Sequence, residues 1–146
     1  MRIEIQIDSS CTEPKIVVMT ASMTEEVSRI VKKLSEDSPH IISGSRGNMV
    51  EVLEQADLIH LYANAGKVFA VTGQGEYLVR LRLYELEERL DPNSFVRISN
   101  SEIINLKKVK SFDLSFTGTI CVKLSNNTVT YVSRRYVSKI RQILGR

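Results

Sequence analysis

The stretch Leu58-Ile-His-Leu-Tyr-Ala-Asn-Ala-Gly-Lys-Val-Phe-Ala-Val-Thr-Gly-Gln-Gly-Glu-Tyr-Leu-Val79 reads as three short strands divided by two glycine turns. Its apolar runs are too short for helices and are rich in β-branched and aromatic side chains. Asn64-Ala-Gly66 and Gly73-Gln-Gly75 supply residue types that tolerate a left-handed backbone, which tight turns demand. The expected strands are Ala56–Tyr62, Lys67–Thr72 and Glu76–Val79. Strands spaced this closely favour an antiparallel sandwich or barrel over alternating βα units.

The pattern continues outward on both sides. Upstream, Gly44-Ser-Arg-Gly-Asn48 reads as a turn leading into a strand, Met49–Leu53. Downstream, Leu83, Leu86 and Leu90 share one side of a short helix that Asp91-Pro92 ends. Strands Phe95–Ile98, Val109–Phe116 and Thr119–Leu124 follow, and Asn126-Asn127 turns the chain into Thr128–Val132. Ser133 is placed to cap a final helix with the apolar stripe Val137, Ile140 and Leu144, closed by Gly145. The first 40 residues have a different character. Ile3, Ile5 and Ile7 alternate with polar residues, and Lys15–Ala21 is β-rich, so a hairpin is expected. Ser22 and Glu25 have capping-box spacing, Val27, Ile30, Val31 and Leu34 recur at helical spacing, and Asp37-Ser-Pro39 stops the helix. The expected fold is therefore mostly β with short helices: a multi-stranded β domain over residues 41–146, preceded by a ββα arm over residues 1–40.

A chain of 146 residues with 42% hydrophobic and 25% charged residues suits a globular protein with a real core. Cys11 and Cys121 have no metal-ligand spacing, and they suggest neither a disulfide framework nor a zinc site. His40 and His60 lie far apart beside apolar residues and read as structural or surface positions. No apolar run approaches the ~20 residues that span a bilayer. The N-terminus alternates too regularly for a signal peptide, so a cytoplasmic protein without membrane insertion is expected. There is no GxSxG elbow, HExxH or Walker loop, and Gly73-Gln-Gly75 lacks the third glycine of a dinucleotide fingerprint. Neither an enzyme nor a cofactor is expected.

Charge is distributed unevenly. From Phe95 to Arg146 ten Lys and Arg residues face only Glu102 and Asp113, a net of +8, whereas the remainder carries a net of −5. Salt screens charges beyond ~8–10 Å, so a polyanion responds to the basic end almost regardless of the other. A polyanion such as DNA suits this end, and so does a solvated basic face with no partner; there is no RNP motif, no KH glycine loop and no adjacent helix pair of helix-turn-helix type. Contacts from loops remain: Asn suits adenine, Arg suits guanine, and Lys or Ser suits phosphate. Asn100 just past a strand, Arg134-Arg135 where a strand passes into a helix, and Lys67 after a glycine turn stand out. Each also has an ordinary explanation: a turn former, solvated helix-start residues and an exposed strand residue.

The segment from Ile41 to Leu144 resembles the LytTR-type DNA-binding domain of bacterial transcription regulators. The points of resemblance, in order, are Leu58-Ile-His-Leu-Tyr62, Tyr77-Leu-Val-Arg80, Leu83-Tyr-Glu-Leu-Glu-Glu-Arg-Leu90, Phe95-Val-Arg-Ile-Ser99, Ser101-Glu-Ile-Ile-Asn-Leu106, Val109 and Val132-Ser-Arg-Arg-Tyr136. The resemblance implies a β-stranded domain that places loop residues into successive major grooves. The family's three base-reading places then fall on Lys67, Asn100 and Arg135. At the second of these many relatives have His-Arg-Ser or His-Asn-Ser, where this chain has Ser99-Asn100-Ser101. Lys107 and Lys108 match a phosphate-contacting region, and Ser99, Ser101, Arg134 and Lys139 flank the reading positions as further expected phosphate contacts. Such domains often follow a receiver domain, for which the preceding 40 residues leave no room, so a stand-alone regulator is implied. Some stand-alone relatives are held by a membrane-bound inhibitory partner, which the resemblance alone brings into view. The apolar arm suggests either a homodimer or a helix that covers one face of the β domain within the same chain. The expected function is a sequence-specific, double-stranded DNA-binding transcription regulator. The competing readings are a protein–protein interaction module whose basic face meets an acidic partner, and an RNA-binding β domain.

Overall fold

The computed structural model describes residues 1–35 and 41–145. The chain divides into two compact units, Met1–Pro39 and His40–Arg146. The first contains one regular element among its described residues, helix α1 (Glu25–Ser35). Thr24 caps it rather than Ser22: Thr24 Oγ1 accepts from Val27 N at 3.3 Å, and Thr24 O accepts from Ser28 N at 2.9 Å. Thr24 directly precedes the first helical residue, the place from which a hydroxyl reaches the third amide of the helix. The expected hairpin is not formed, and residues 1–24 are irregular. A turn at Asp8 holds them locally, with Cys11 N donating to Asp8 O at 3.1 Å and the Asp8 carboxylate accepting from Ser10 N at 2.9 Å. Alternation of Ile3, Ile5 and Ile7 provides an apolar face, but a strand also needs a backbone ladder, and these side chains are exposed. The expected helix stop at Asp37-Ser-Pro39 and the reading of His40 lie outside the described residues.

The second unit is β-rich, as expected. Its strands are β1 (Ile42–Arg46), β2 (Met49–Leu53), β3 (Leu58–Asn64), β4 (Lys67–Thr72), β5 (Gly75–Val79), β6 (Phe95–Ser99), β7 (Glu102–Asn105), β8 (Val109–Asp113), β9 (Ile120–Leu124) and β10 (Val129–Val132). Helix α2 (Leu83–Arg89) follows β5, and α3 (Arg134–Ile143) follows β10. All pairings are antiparallel. One sheet has seven strands in the order β2-β1-β5-β4-β3-β7-β6, and a second has three in the order β10-β9-β8.

Side-chain alternation divides the interior into two clusters. Leu58, Phe95 and Ile103 join one cluster with Leu83 and Leu86 of α2 and Leu90 directly after it, whereas their neighbours Ile59, Val96 and Ile104 join the other with Val122 and Ile140. Strands β3, β6 and β7 thus have α2 on one face and the smaller sheet with α3 on the other.

Three local departures from expectation have physical causes. Gly44 lies inside β1 rather than in a turn, and the chain reverses at Gly47, where φ is +62°. A Cβ on Gly44 would stand 2.6 Å from Tyr77 Cβ and 2.8 Å from Leu53 Cδ1, so glycine is there for close approach. Strand β8 stops at Asp113, not Phe116, because the Asp113 carboxylate accepts from Ser115 N at 2.9 Å and Ser115 Oγ at 2.6 Å, bending the chain. Strand β7 has no counterpart among the expected strands. Its Ile103 and Ile104 are buried on opposite faces, which leaves no polar–apolar alternation to read.

Candidate nucleic-acid interface

Three connections converge at one end of the central strands. Between β3 and β4 the chain reverses through Ala65 and Gly66, with φ of +52° and +78°. Two successive left-handed residues make the tight hairpin whose twist matches its strands, and Lys67 opens β4 exposed. Ala63 N donates to Ser101 O at 2.8 Å, which fixes this hairpin against the β6–β7 turn. That turn presents Asn100 exposed, between half-buried Ser99 and exposed Ser101. Ser133 N donates to Ile98 O at 2.8 Å, which fixes the start of α3 against the end of β6. Ser133 precedes α3 as expected, but its amide anchors the helix and its hydroxyl makes no capping bond. Arg134 and Arg135 follow, both exposed, and the Arg135 guanidinium lies 5.8 Å from the centre of the Tyr136 ring.

Two backbone hydrogen bonds therefore bring Lys67, Asn100 and Arg135 to a common end although they are far apart in sequence. Ser99, Ser101 and Arg134 share that end. Lys139 lies one helical turn beyond Arg135, exposed, on a concave surface with Glu87, Arg97 and Ile143. Lys107 and Lys108 are not part of this group. They sit on a single 3-10 turn beyond the far end of β7, which puts roughly 13 Å of strand between them and Asn100. Lys107 is exposed and Lys108 half-buried.

Residues that lie within the segments of resemblance, but to which the sequence assigns no role, hold this arrangement. Asn105, only 2% exposed, donates from Nδ2 to Leu58 O at 2.8 Å and accepts at Oδ1 from Lys107 N at 3.0 Å. It ties β7 to β3 and caps the turn that carries the two lysines. His60 is buried, with Nδ1 2.8 Å from Glu102 Oε2, and the Thr130 hydroxyl donates to the other oxygen of Glu102. This polar bridge joins β3, β7 and β10 beside the β6–β7 turn. Arg97 donates from Nε to Ser99 O at 2.7 Å and from Nη2 to Asn100 O at 2.6 Å, and it pairs with Glu87 of α2 through Nη1. The segment Phe95-Val-Arg-Ile-Ser99 places Arg97 within the family resemblance but carries no sign of these partners.

The nearby acids are occupied. Glu102 accepts from Thr130 and contacts His60, Glu87 pairs with Arg97, and Glu76 accepts from the Tyr62 hydroxyl. That hydrogen bond, with burial and the Glu76 charge adding to it, pushes the Tyr62 phenol up to about 12. Lys67, Arg134 and Arg135 stand as exposed cations at the loop end, which suits an anionic partner. Among the described residues no cluster of His, Cys, Asp and Glu could hold a metal, and both cysteines are free. No described helix is long and apolar enough to cross a membrane.

Residues 48–145 match the family model described as the LytTr DNA-binding domain. A protein of Staphylococcus aureus strain NCTC 8325 described as an HTH-type transcriptional regulator is 31% identical over 146 residues, covering 99% of each chain. A counterpart in strain MRSA252 is 30% identical with the same coverage. Among solved structures, the LytTr domain of a Bacillus cereus methyl-accepting/DNA response regulator aligns with a TM-score of 0.70 at 22% identity, covering 73% of this chain and 97% of that one. This likeness extends to the fold. Despite the relatives' description, α2 and α3 are separated by five strands and form no helix-turn-helix.

Proposed function

The chain belongs to the LytTr DNA-binding domain family, and on that premise we propose that it regulates transcription by reading the major groove of double-stranded DNA with loop residues. Asn100 and Arg135 are the principal readers and Lys67 the third. A carboxamide matches the N6/N7 edge of adenine, and a guanidinium or ammonium matches O6/N7 of guanine. Ser99, Ser101, Arg134 and Lys139 meet flanking phosphates, while Lys107 and Lys108 meet the backbone further along. The observation that carries this reading is the convergence of the β3–β4, β6–β7 and β10–α3 connections through Ala63–Ser101 and Ser133–Ile98 hydrogen bonds. A rigid strand framework supports exposed polar tips there, the arrangement that base readout requires. The role belongs to the cytoplasm, where bacterial DNA is. The exposed apolar side chains of the arm, among them Ile3, Ile5, Ile7, Ile16 and Met19, support a homodimer that sets two reading domains on one duplex. Selection of bound sequences from a random duplex pool is the test. Recovery of a defined consensus is expected, and a pool that stays random would overturn the sequence-specific reading.

A further inference from the structure

We infer that Arg97 is a positioning residue for base recognition: it holds the Ser99-Asn100-Ser101 turn in its reading conformation without itself touching DNA. The inference rests on the assignment of Asn100 as a base reader. The Arg97 guanidinium is committed on three sides, to Ser99 O at 2.7 Å, to Asn100 O at 2.6 Å and to the Glu87 carboxylate. Its side chain is only 15% exposed. Two consecutive carbonyls of a turn repel one another when they point the same way, and a planar fork of N–H donors binds both at once. Glu87 then fastens that fork to α2, whose Leu83 and Leu86 are buried in the core.

The rest of the turn is fixed from other directions. Ser101 N donates to Ser99 Oγ at 3.2 Å, and Ser101 O accepts from Ala63 N at 2.8 Å. The backbone on either side of Asn100 is therefore held before any duplex arrives, and DNA binding need not order it. A lysine at position 97 keeps the charge but offers a single tetrahedral ammonium in place of the fork. It cannot hold both carbonyls and Glu87 in the same geometry. Sequence preference then suffers while the electrostatic part of binding stays intact.

The test uses the full chain, a duplex selected from a random pool and a scrambled duplex of the same composition. Affinities are measured by fluorescence anisotropy across a salt series for Arg97→Lys, Asn100→Ala and the double variant. Arg97→Lys is expected to lower the preference for the selected duplex by about ten- to a hundredfold, the scale of one bidentate base contact. Scrambled-duplex affinity and salt slope stay at the wild-type level, and Arg97→Lys adds no further loss in the Asn100→Ala background. Wild-type preference in Arg97→Lys, or an equal further loss in the double variant, overturns the inference. So does a loss of affinity for scrambled DNA as large as that for the selected duplex, which would place Arg97 in backbone contact rather than in base recognition. If Asn100→Ala itself keeps full preference, the assignment of Asn100 fails and the inference with it. If Asn100→Ala loses preference and Arg97→Lys does not, only the inference fails. Should Arg97→Lys not fold, Glu87→Gln, which loosens Arg97 from α2, takes its place with the same readouts. A smaller loss of preference is then expected, and wild-type preference overturns the inference.

Discussion

Asn105 and Lys107 lie two residues apart and are expected to fail in different ways when changed. Asn105→Ala strips the buried Leu58 carbonyl and the Lys107 amide of their side-chain partner. Each group left unpaired costs roughly 1–3 kcal/mol. A urea midpoint that falls with an unchanged denaturant slope would register this, and an unchanged midpoint would show that water replaces the side chain. Lys107→Ala removes an exposed charge and no fold contact of its side chain. It should weaken binding to all duplexes about equally and make the salt slope shallower by roughly one unit. Asn100→Ala and Arg135→Ala should do the reverse, each flattening sequence preference by ~1–3 kcal/mol and leaving the salt-driven term of the Asn100 variant unaltered. Anisotropy titrations on selected and scrambled duplexes separate the two patterns. Tyr62 offers a further check at this scale. Its raised phenol pKa means that the folded state favours the neutral hydroxyl. That stabilisation is complete below the ordinary value of 10.0 and is lost as pH rises through about 12. The ultraviolet titration difference between the wild type and Tyr62→Phe should fall near 12, while a difference centred near 10 would contradict the Glu76 hydrogen bond.

Strand β1 has the clearest test at the level of elements. A methyl at Gly44 would overlap Leu53 Cδ1 and also Tyr77 Cβ, which is fixed to the backbone of the neighbouring strand β5 and cannot easily withdraw. Gly44→Ala is therefore expected to destabilise the second unit by about 1–3 kcal/mol. Wild-type stability in thermal or urea unfolding would mean that the β1–β2 edge yields. The same glycine illustrates what sequence reading reaches. Strands β3, β4 and β5 with their turns were legible because period-two patterning and glycine chemistry agree there. A glycine that serves close packing looks identical to one that serves a turn until Tyr77 is seen beside it. Strand β7 was hidden because both its faces are buried, and β8 was read too long because the Asp113–Ser115 turn is a matter of two hydrogen bonds. The arm's alternation was real, but it specifies a face and supplies no partner backbone. Lys67, Asn100 and Arg135 could be named individually. Their convergence depends on backbone bonds from Ala63 and Ser133 that carry no side-chain signature.

At the scale of the whole molecule the chain sets a strongly basic final third against an acidic remainder, and a self-contained domain against an apolar arm. Both buried clusters of the second unit consist of residues from Ile42 onward, so a chain lacking residues 1–40 is expected to fold. Analytical ultracentrifugation should find the full chain dimeric at micromolar concentration and the shortened chain monomeric. A monomeric full chain would rule out the dimer, and an insoluble shortened chain would assign the arm to the domain's own core. Recognition of duplex DNA by sequence is the central claim, and one measurement tests it most directly. The affinity of the full chain for a selected and a scrambled duplex is followed across a range of salt concentrations. Scrambled-duplex affinity is expected to fall steeply, with a log–log slope of about −0.9 per phosphate neutralised, and the selected duplex to stay preferred throughout. Equal affinity for the two duplexes at every salt concentration, or no binding to either at low salt, would contradict the claim.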